Sequence, residues 1–258
     1  MDGGYAYTIN VEAGKTYYFY TSFSINAAQF SIFMSSLEYA ILPGVDATCK
    51  VVARSDGKKY VGDLEIPEVA NINGTDYRVV EIGQRAFDEC KALTSVVLPK
   101  SVKTIGEGAF YNCNYMLSVS LPNSLASIGE SAFRECFSIK TLDVPNSVTN
   151  IGDWAFAGCS NLKSAKLSES LSCISDHLFA ACGELESLTI PSTVTSIGVQ
   201  AFYYCARLNS VYIPNSVKKI DILAFQACWK LKAIRIPMSV TEIAENAFDK
   251  ESIWYKSK

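Results

Sequence analysis

Seven cysteines fall at Cys90, Cys113, Cys136, Cys159, Cys182, Cys205 and Cys228, one every 23 residues. Thiolates ligate zinc, form disulfides and act as nucleophiles, so the row poses a question of chemistry first. Zinc sites gather cysteines in close pairs along the chain, and a 23-residue step supplies none. Stacked in register, neighbouring cysteines would stand about 4.8 Å apart, the spacing of paired strands. That is within the Cα reach of a disulfide, but parallel Cα–Cβ bonds hold the Cβ atoms slightly too far apart for the bridge. A buried, reduced ladder is the expectation, since a free Cys packs as a small hydrophobe. Cys49 and Cys173 lie outside the row.

His177 is the only histidine, so any histidine-dependent catalysis rests on it alone. Beside Asp176 it is expected to be an exposed turn residue, because no nucleophile–base pattern accompanies it. The chain has no G-x-S-x-G, no H-E-x-x-H and no phosphate-binding glycine loop. No catalytic residue, metal ligand or cofactor is expected, and the chain reads as a non-enzyme.

The elements that position these residues follow from the period. Phe recurs with the same step at Phe87, Phe110, Phe133, Phe156, Phe179, Phe202, Phe225 and Phe248, eight of the thirteen in the chain. Ile does so from Ile82 to Ile243, and Pro from Pro99 to Pro237 with Ser168 in the one missing place. The unit is I-G-x-x-A-F-x-x-C-x-x-L-x-S-V-x-L-P-x-S-V-x-x. Seven copies run from Ile82 to Glu242 and an eighth begins at Ile243. A single coil of this length cannot bury its own apolar face, whereas stacked coils bury a continuous core. Leu93, Val96 and Leu98 mark a first strand. Val102 and Ile105 mark a second, with Pro99 at the corner because it has no amide to donate. Gly83 and its equivalents are expected to allow a tight bend. Ala86 to Cys90 is too short for a free helix and is expected to form one helical or 3-10 turn. The copy around His177 is the most irregular, with Ser168 for Pro, Ser175 for Gly and Leu178 for Ala.

Residues 39–81 read as a β-rich N-terminal cap, which a solenoid needs to cover its open end. Leu64-Glu65-Ile66-Pro67 repeats the strand end of the unit, and Asn73-Gly74 is a hairpin signal. Residues 1–38 read as a separate β-hairpin: Tyr5, Tyr7, Ile9 and Val11 alternate, a turn follows at Glu12 to Lys15, and Thr16 to Tyr20 forms the second strand. A lone hairpin is marginal in water, so either it docks on the cap or its partner strands lie upstream. Residues 82–258 make up the solenoid itself.

The formal net charge of −3 lacks the basic footprint of a nucleic-acid binder. No run approaches the ~20 apolar residues of a membrane span, and the N-terminus has no signal-peptide pattern.

Copies such as Ile105-Gly106-Glu107-Gly108-Ala109-Phe110-Tyr111-Asn112-Cys113 and Leu188-Thr189-Ile190-Pro191-Ser192-Thr193-Val194-Thr195-Ser196-Ile197-Gly198 resemble the BspA-like leucine-rich repeats of bacterial surface proteins and some protozoa. The likeness spans the whole unit in every copy. It implies a leucine-rich-repeat solenoid, of the α/β class by convention but β-rich with short turns. It also implies an extracellular or cell-surface location and adhesion to host matrix proteins or other cells. The first hairpin bears a short similarity to the tail of the β-sandwich modules placed before repeats in gut-bacterial surface proteins. A shared fold does not fix a function.

Function must therefore sit at the positions that vary. One outward row on the first strand carries Lys166, Tyr212 and Arg235, and the adjacent row carries Lys140, Lys163 and Lys232. A second exposed group flanks the cysteines and includes Tyr111, Tyr115, Phe137, Tyr203, Tyr204 and Trp229. Aromatics and Arg are enriched at interface hot spots. Tyr203, Tyr204, Tyr212, Trp229, Lys232 and Arg235 form one candidate binding group and Lys140, Lys163 and Lys166 another. The expected partner of this monomer is a protein, with a glycan ligand or a passive spacer role as the alternative.

Overall fold

The computed structural model describes residues 37–44, 46–250 and 252–257. The hairpin read at residues 1–38 lies almost entirely outside them. The described residues form a stack of coils with strands on two sides and turns on the third, and contain no helix.

The first side is a parallel ladder in three segments. Gly62–Glu65, Leu93–Val97 and Ser118–Ser120 make the first, Thr141–Asp143 through Ser210–Tyr212 the second, and Ala233–Pro237 with Ile253–Ser257 the third. Equivalent residues of successive repeats face each other, as Val96 faces Val119 and Leu188 faces Val211. The second side consists of two-residue strands such as Thr104–Ile105 and Ser127–Ile128. Val102 falls outside its strand because its amide closes a turn onto the Pro99 carbonyl at 3.2 Å. It is nevertheless fully buried.

The third side corrects the expected helical turn. Ala86, Asp88 and Cys90 donate back to carbonyls three residues earlier within the coil. Arg85, Phe87 and Glu89 donate forward to Glu107, Ala109 and Tyr111 of the next coil. A helix would spend every amide internally, so this alternation turns half of them into an inter-coil ladder. It forces left-handed backbone at Arg85 and Glu89, and again at His177 and Ala181. Such conformations are disfavoured for residues with a Cβ, and here the ladder over-determines them.

The core is a column of phenylalanines. Phe87, Phe110, Phe133 and Phe156 stack with centroids 5.0, 5.1 and 5.4 Å apart, close to the strand spacing. Beside it runs the thiol row. Cys113 donates to the Phe87 carbonyl at 3.1 Å, and Cys136, Cys159, Cys182, Cys205 and Cys228 repeat that bond one coil on each time. All nine cysteines are free, and only Cys173 is exposed. Burial pushes the Cys90, Cys159 and Cys228 thiols up to about 12, and those of Cys136, Cys182 and Cys205 well above the ordinary range. The native protein should therefore titrate one thiol of nine with a chromogenic disulfide reagent near pH 8, and all nine in denaturant. Two or more fast-reacting thiols in the native state would contradict the buried ladder.

The glycine after the second strand has a different reason from the expected bend. Gly83, Gly106, Gly129 and Gly152 do not need positive φ; a Cβ there would meet the backbone of the preceding coil, at Gly152 only 2.4 Å from the Glu130 nitrogen. Close coil-to-coil approach excludes a side chain. Gly152→Ala should thus lower stability by roughly 1–3 kcal/mol, the range for overpacking, measured by urea unfolding. An unchanged midpoint would show that the coils can part freely.

The copy with Ser175 in that place is looser, whereas Asp221 and Ala244 occupy the same position with the ladder intact. The second ladder breaks between Ile151 and Cys173. The Phe156–Phe179 and Phe179–Phe202 spacings widen to 5.8 Å before returning to 5.0 Å at Phe202–Phe225. A second substitution in this copy, Ser168, is compensated. Ser101, Ser124 and Thr193 each donate to the carbonyl of the coil before; in the irregular copy Ser168, in the proline's place, donates that bond to Val148 at 2.6 Å.

The segment before the first full repeat forms an enlarged coil. Thr48–Val52 pairs in parallel with Thr75–Ile82, and Gly62–Glu65 extends the first ladder. The hairpin at Asn73-Gly74, both with positive φ, is inserted between them and pairs Val69–Ile72 with Thr75–Ile82. Tyr60 closes the phenylalanine column, 5.0 Å from Phe87 and tilted by 59°. Cys49, unplaced by the period, is buried in this segment.

Candidate interaction surface

The coils present variable side chains at fixed intervals on a rigid frame, so a residue's repeat position decides its neighbours. On the first ladder, Lys166 lies opposite Asp143 and forms an ion pair with it at 3.7 Å, both side chains about three-quarters exposed. The basic character expected of Lys140, Lys163 and Lys166 is therefore partly offset, and a pair this exposed adds little stability. Tyr212, 63% exposed, faces Thr189 across the ladder, and Arg235 faces Tyr255.

The turn side brings Tyr203, Tyr204 and Trp229 together. Tyr204 meets Trp229 edge-on at 5.0 Å and 75°, and Tyr203 lies 6.4 Å from Tyr204. Edge-to-face contact is a favoured aromatic geometry, and it joins Tyr204 to Trp229 while all three rings stay exposed. Lys232 shares the wall of one cavity with Trp229. The structure thus joins four of the expected residues into one patch. Tyr212 and Arg235 sit on the strand side, and the three central lysines lie two to four coils away along the axis.

His177 is not the exposed turn residue that was expected. It is half-buried and stacks on Trp154 at 3.7 Å and 9°, with the Arg134 guanidinium 4.7 Å from the Trp154 ring centre. Arg134 also approaches Tyr111, at 5.9 Å. Burial lowers the His177 pKa, opposed by Asp176 and Asp153 and aided by Arg134. A neutral ring against Trp154 follows. Its neighbours are occupied: the Ser175 hydroxyl donates to the Ile151 carbonyl, and the Asp176 carboxylate accepts the Val199 amide at 2.7 Å. This arrangement builds a ring stack and positions no nucleophile. The signal was present in the sequence, since Trp154 and His177 occupy the same repeat position one copy apart. Among the described residues no group of three or more His, Cys, Asp or Glu is arranged to hold a metal ion.

The comparisons agree with this architecture. The family model for the BspA type leucine rich repeat region matches six copies, over residues 80–209 and 172–254. The chain belongs to the BspA-type leucine-rich repeat family. Among solved structures, a leucine-rich repeat protein from Bacteroides ovatus shares 27% identity, with a TM-score of 0.65 over 88% of this chain and 68% of that one. A leucine-rich repeat protein from T. pallidum shares 29% identity, with a TM-score of 0.67 over 76% of this chain and 87% of that one. One from Eubacterium ventriosum, at 22% identity and a TM-score of 0.63 over 80% and 53%, shares the fold. The comparison with curated proteins gives no match. No described helix is long and apolar enough to cross a membrane.

Proposed function

We propose that this chain is a protein-binding or adhesion module at a cell surface or outside the cell, contacting a host or matrix protein through Tyr203, Tyr204, Trp229 and Lys232. The observation that carries this reading is the aromatic patch itself: three exposed rings, two of them in edge-to-face contact. Rings already in contact lose less entropy on binding, and aromatic anchors dominate interface energetics. Lys140, Lys163, Lys166, Tyr212 and Arg235 form a second strip that steers approach more than it anchors. Family membership supports a binding role over catalysis and an exported location. In this reading residues 39–81 cap the repeats of 82–258, and residues 1–38 belong to a further β module.

Surface plasmon resonance against purified matrix proteins tests the proposal. Replacing Tyr203, Tyr204 and Trp229 together by Ala should weaken capture more than tenfold, since a hot-spot ring contributes about 2 kcal/mol or more. Lys140→Glu with Lys163→Glu should slow association at low salt and leave dissociation unchanged. Capture that survives the triple substitution would rule out this patch.

A further inference from the structure

The last coil leaves the repeat path early. Along the turn side, Asn112 donates to the Arg134 carbonyl, Gly158 to that of Ala180, and Tyr204 to that of Gln226. At the next step the Ala227 amide donates instead to the Asp249 carboxylate at 2.9 Å. The same oxygen accepts the Gln226 side-chain amide at 2.5 Å. A side chain thus stands in for the missing backbone carbonyl. The chain rejoins the first ladder with Ile253 opposite Ala233, where the repeat would have placed residue 256.

A cavity of about 880 Å³ is lined by residues of the last two coils. Ile222, Ala244 and Phe248 supply apolar lining, and Trp229, 54% exposed, forms a wall. Gln226, Asn246, Asp249 and Ser252 supply polar lining. Two acids, Glu245 and Asp249, are balanced by Lys232 and Lys250, so the lining favours neither an anion nor a cation.

We propose that this cavity binds an uncharged saccharide, one or two sugar rings lying against Trp229. A sugar ring has an apolar C–H face that matches an indole and an edge of hydroxyls that both donate and accept. The Gln226 amide nitrogen, one Asp249 oxygen and the Ser252 proton are engaged within the protein, so the Asn246 amide, the Gln226 amide oxygen and the second Asp249 oxygen are the groups complementary to such an edge. The volume lies within the range of small-ligand sites, and an apolar cleft with a few polar groups is their usual form. The site shares only Trp229 and Lys232 with the protein-binding patch and lies on its C-terminal side.

The test is a ¹⁵N–¹H NMR titration of the chain with methyl glycosides of glucose, galactose, mannose and N-acetylglucosamine, and with their β-linked disaccharides. Binding should shift the Trp229 indole and the Gln226 and Asn246 side-chain amides together. Trp229→Ala or Asn246→Ala should abolish the shifts, Trp229→Phe should weaken them several-fold, and Tyr203→Ala should leave them intact. Asn246→Ala should also leave matrix-protein capture unchanged, which separates this site from the patch. The proposal is overturned if no glycoside moves these signals, or if the shifts persist in Asn246→Ala. It is equally overturned if only peptides perturb the cavity.

Discussion

Phe156→Ala should lower stability by about 3–5 kcal/mol, the range for emptying a buried aromatic site. The ring is 1% exposed and lies between Phe133 at 5.4 Å and Phe179 at 5.8 Å. Its removal deletes two stacking contacts as well as the buried area. In a stack where each coil touches only its neighbours, stability is a sum of coil and interface contributions. Losing a central interface weakens the coupling between the halves, most of all beside the widened coil of Ser175. Urea unfolding followed by circular dichroism should show a lower midpoint and a broader transition, with two resolved steps as the limiting case. Tyr115→Ala, at a position 66% exposed, should change the midpoint by less than about 0.5 kcal/mol. Equal losses for the two variants would mean that the phenylalanine column does not hold the coils together.

Raising the pH above 9 should destabilise the fold with unusual steepness. The buried thiols of Cys90, Cys159 and Cys228 are raised to about 12, and those of Cys136, Cys182 and Cys205 well above the ordinary range, all chiefly by burial. In the unfolded chain they ionise near the ordinary thiol value. Between the two, the unfolded state binds fewer protons than the native state, so stability falls as pH rises. Each thiol contributes a slope of about 1.4 kcal/mol per pH unit, and six together approach about 8. That is comparable to a whole domain's stability. Below the unfolded thiol value the row is neutral in both states and contributes no pH dependence. Tyr60, raised to about 12 by burial, acts in the same direction. Urea midpoints under reducing conditions at pH 8, 9 and 10 should fall steeply over the last step, and Cys159→Ala should reduce the slope. A flat profile from pH 8 to 10 would show that the thiols are not protected as the structure places them.

Much of the candidate surface was legible in the sequence as rows, because the period assigns each residue to a side of the coil. The rows do not say which neighbours meet. Tyr203, Tyr204 and Trp229 come together because the turn side carries adjacent positions of successive coils close to one another. Tyr212, eight positions on from Tyr204, is carried round to the strand side. Ion pairing of Lys166 with Asp143 was likewise open to reading at equivalent positions one copy apart. The cavity was not legible, because part of its lining comes from a non-repeating stretch.

By itself the sequence determined the repeat, the buried column of phenylalanine and isoleucine, the thiol row, and the places where the pattern fails. Strict recurrence at 23 residues puts identical side chains on top of one another, and burial of those side chains then has one solution. The tertiary structure alone decided the backbone of the turn side. Left-handed conformations at residues as ordinary as Arg85 and Ala181 arise from amides drawn to the next coil, and no local propensity announces them. It also decided why glycine recurs after the second strand, since the obstruction is another coil's backbone. Contacts between coils are set by the stack as a whole, and a single unit's sequence carries no record of them.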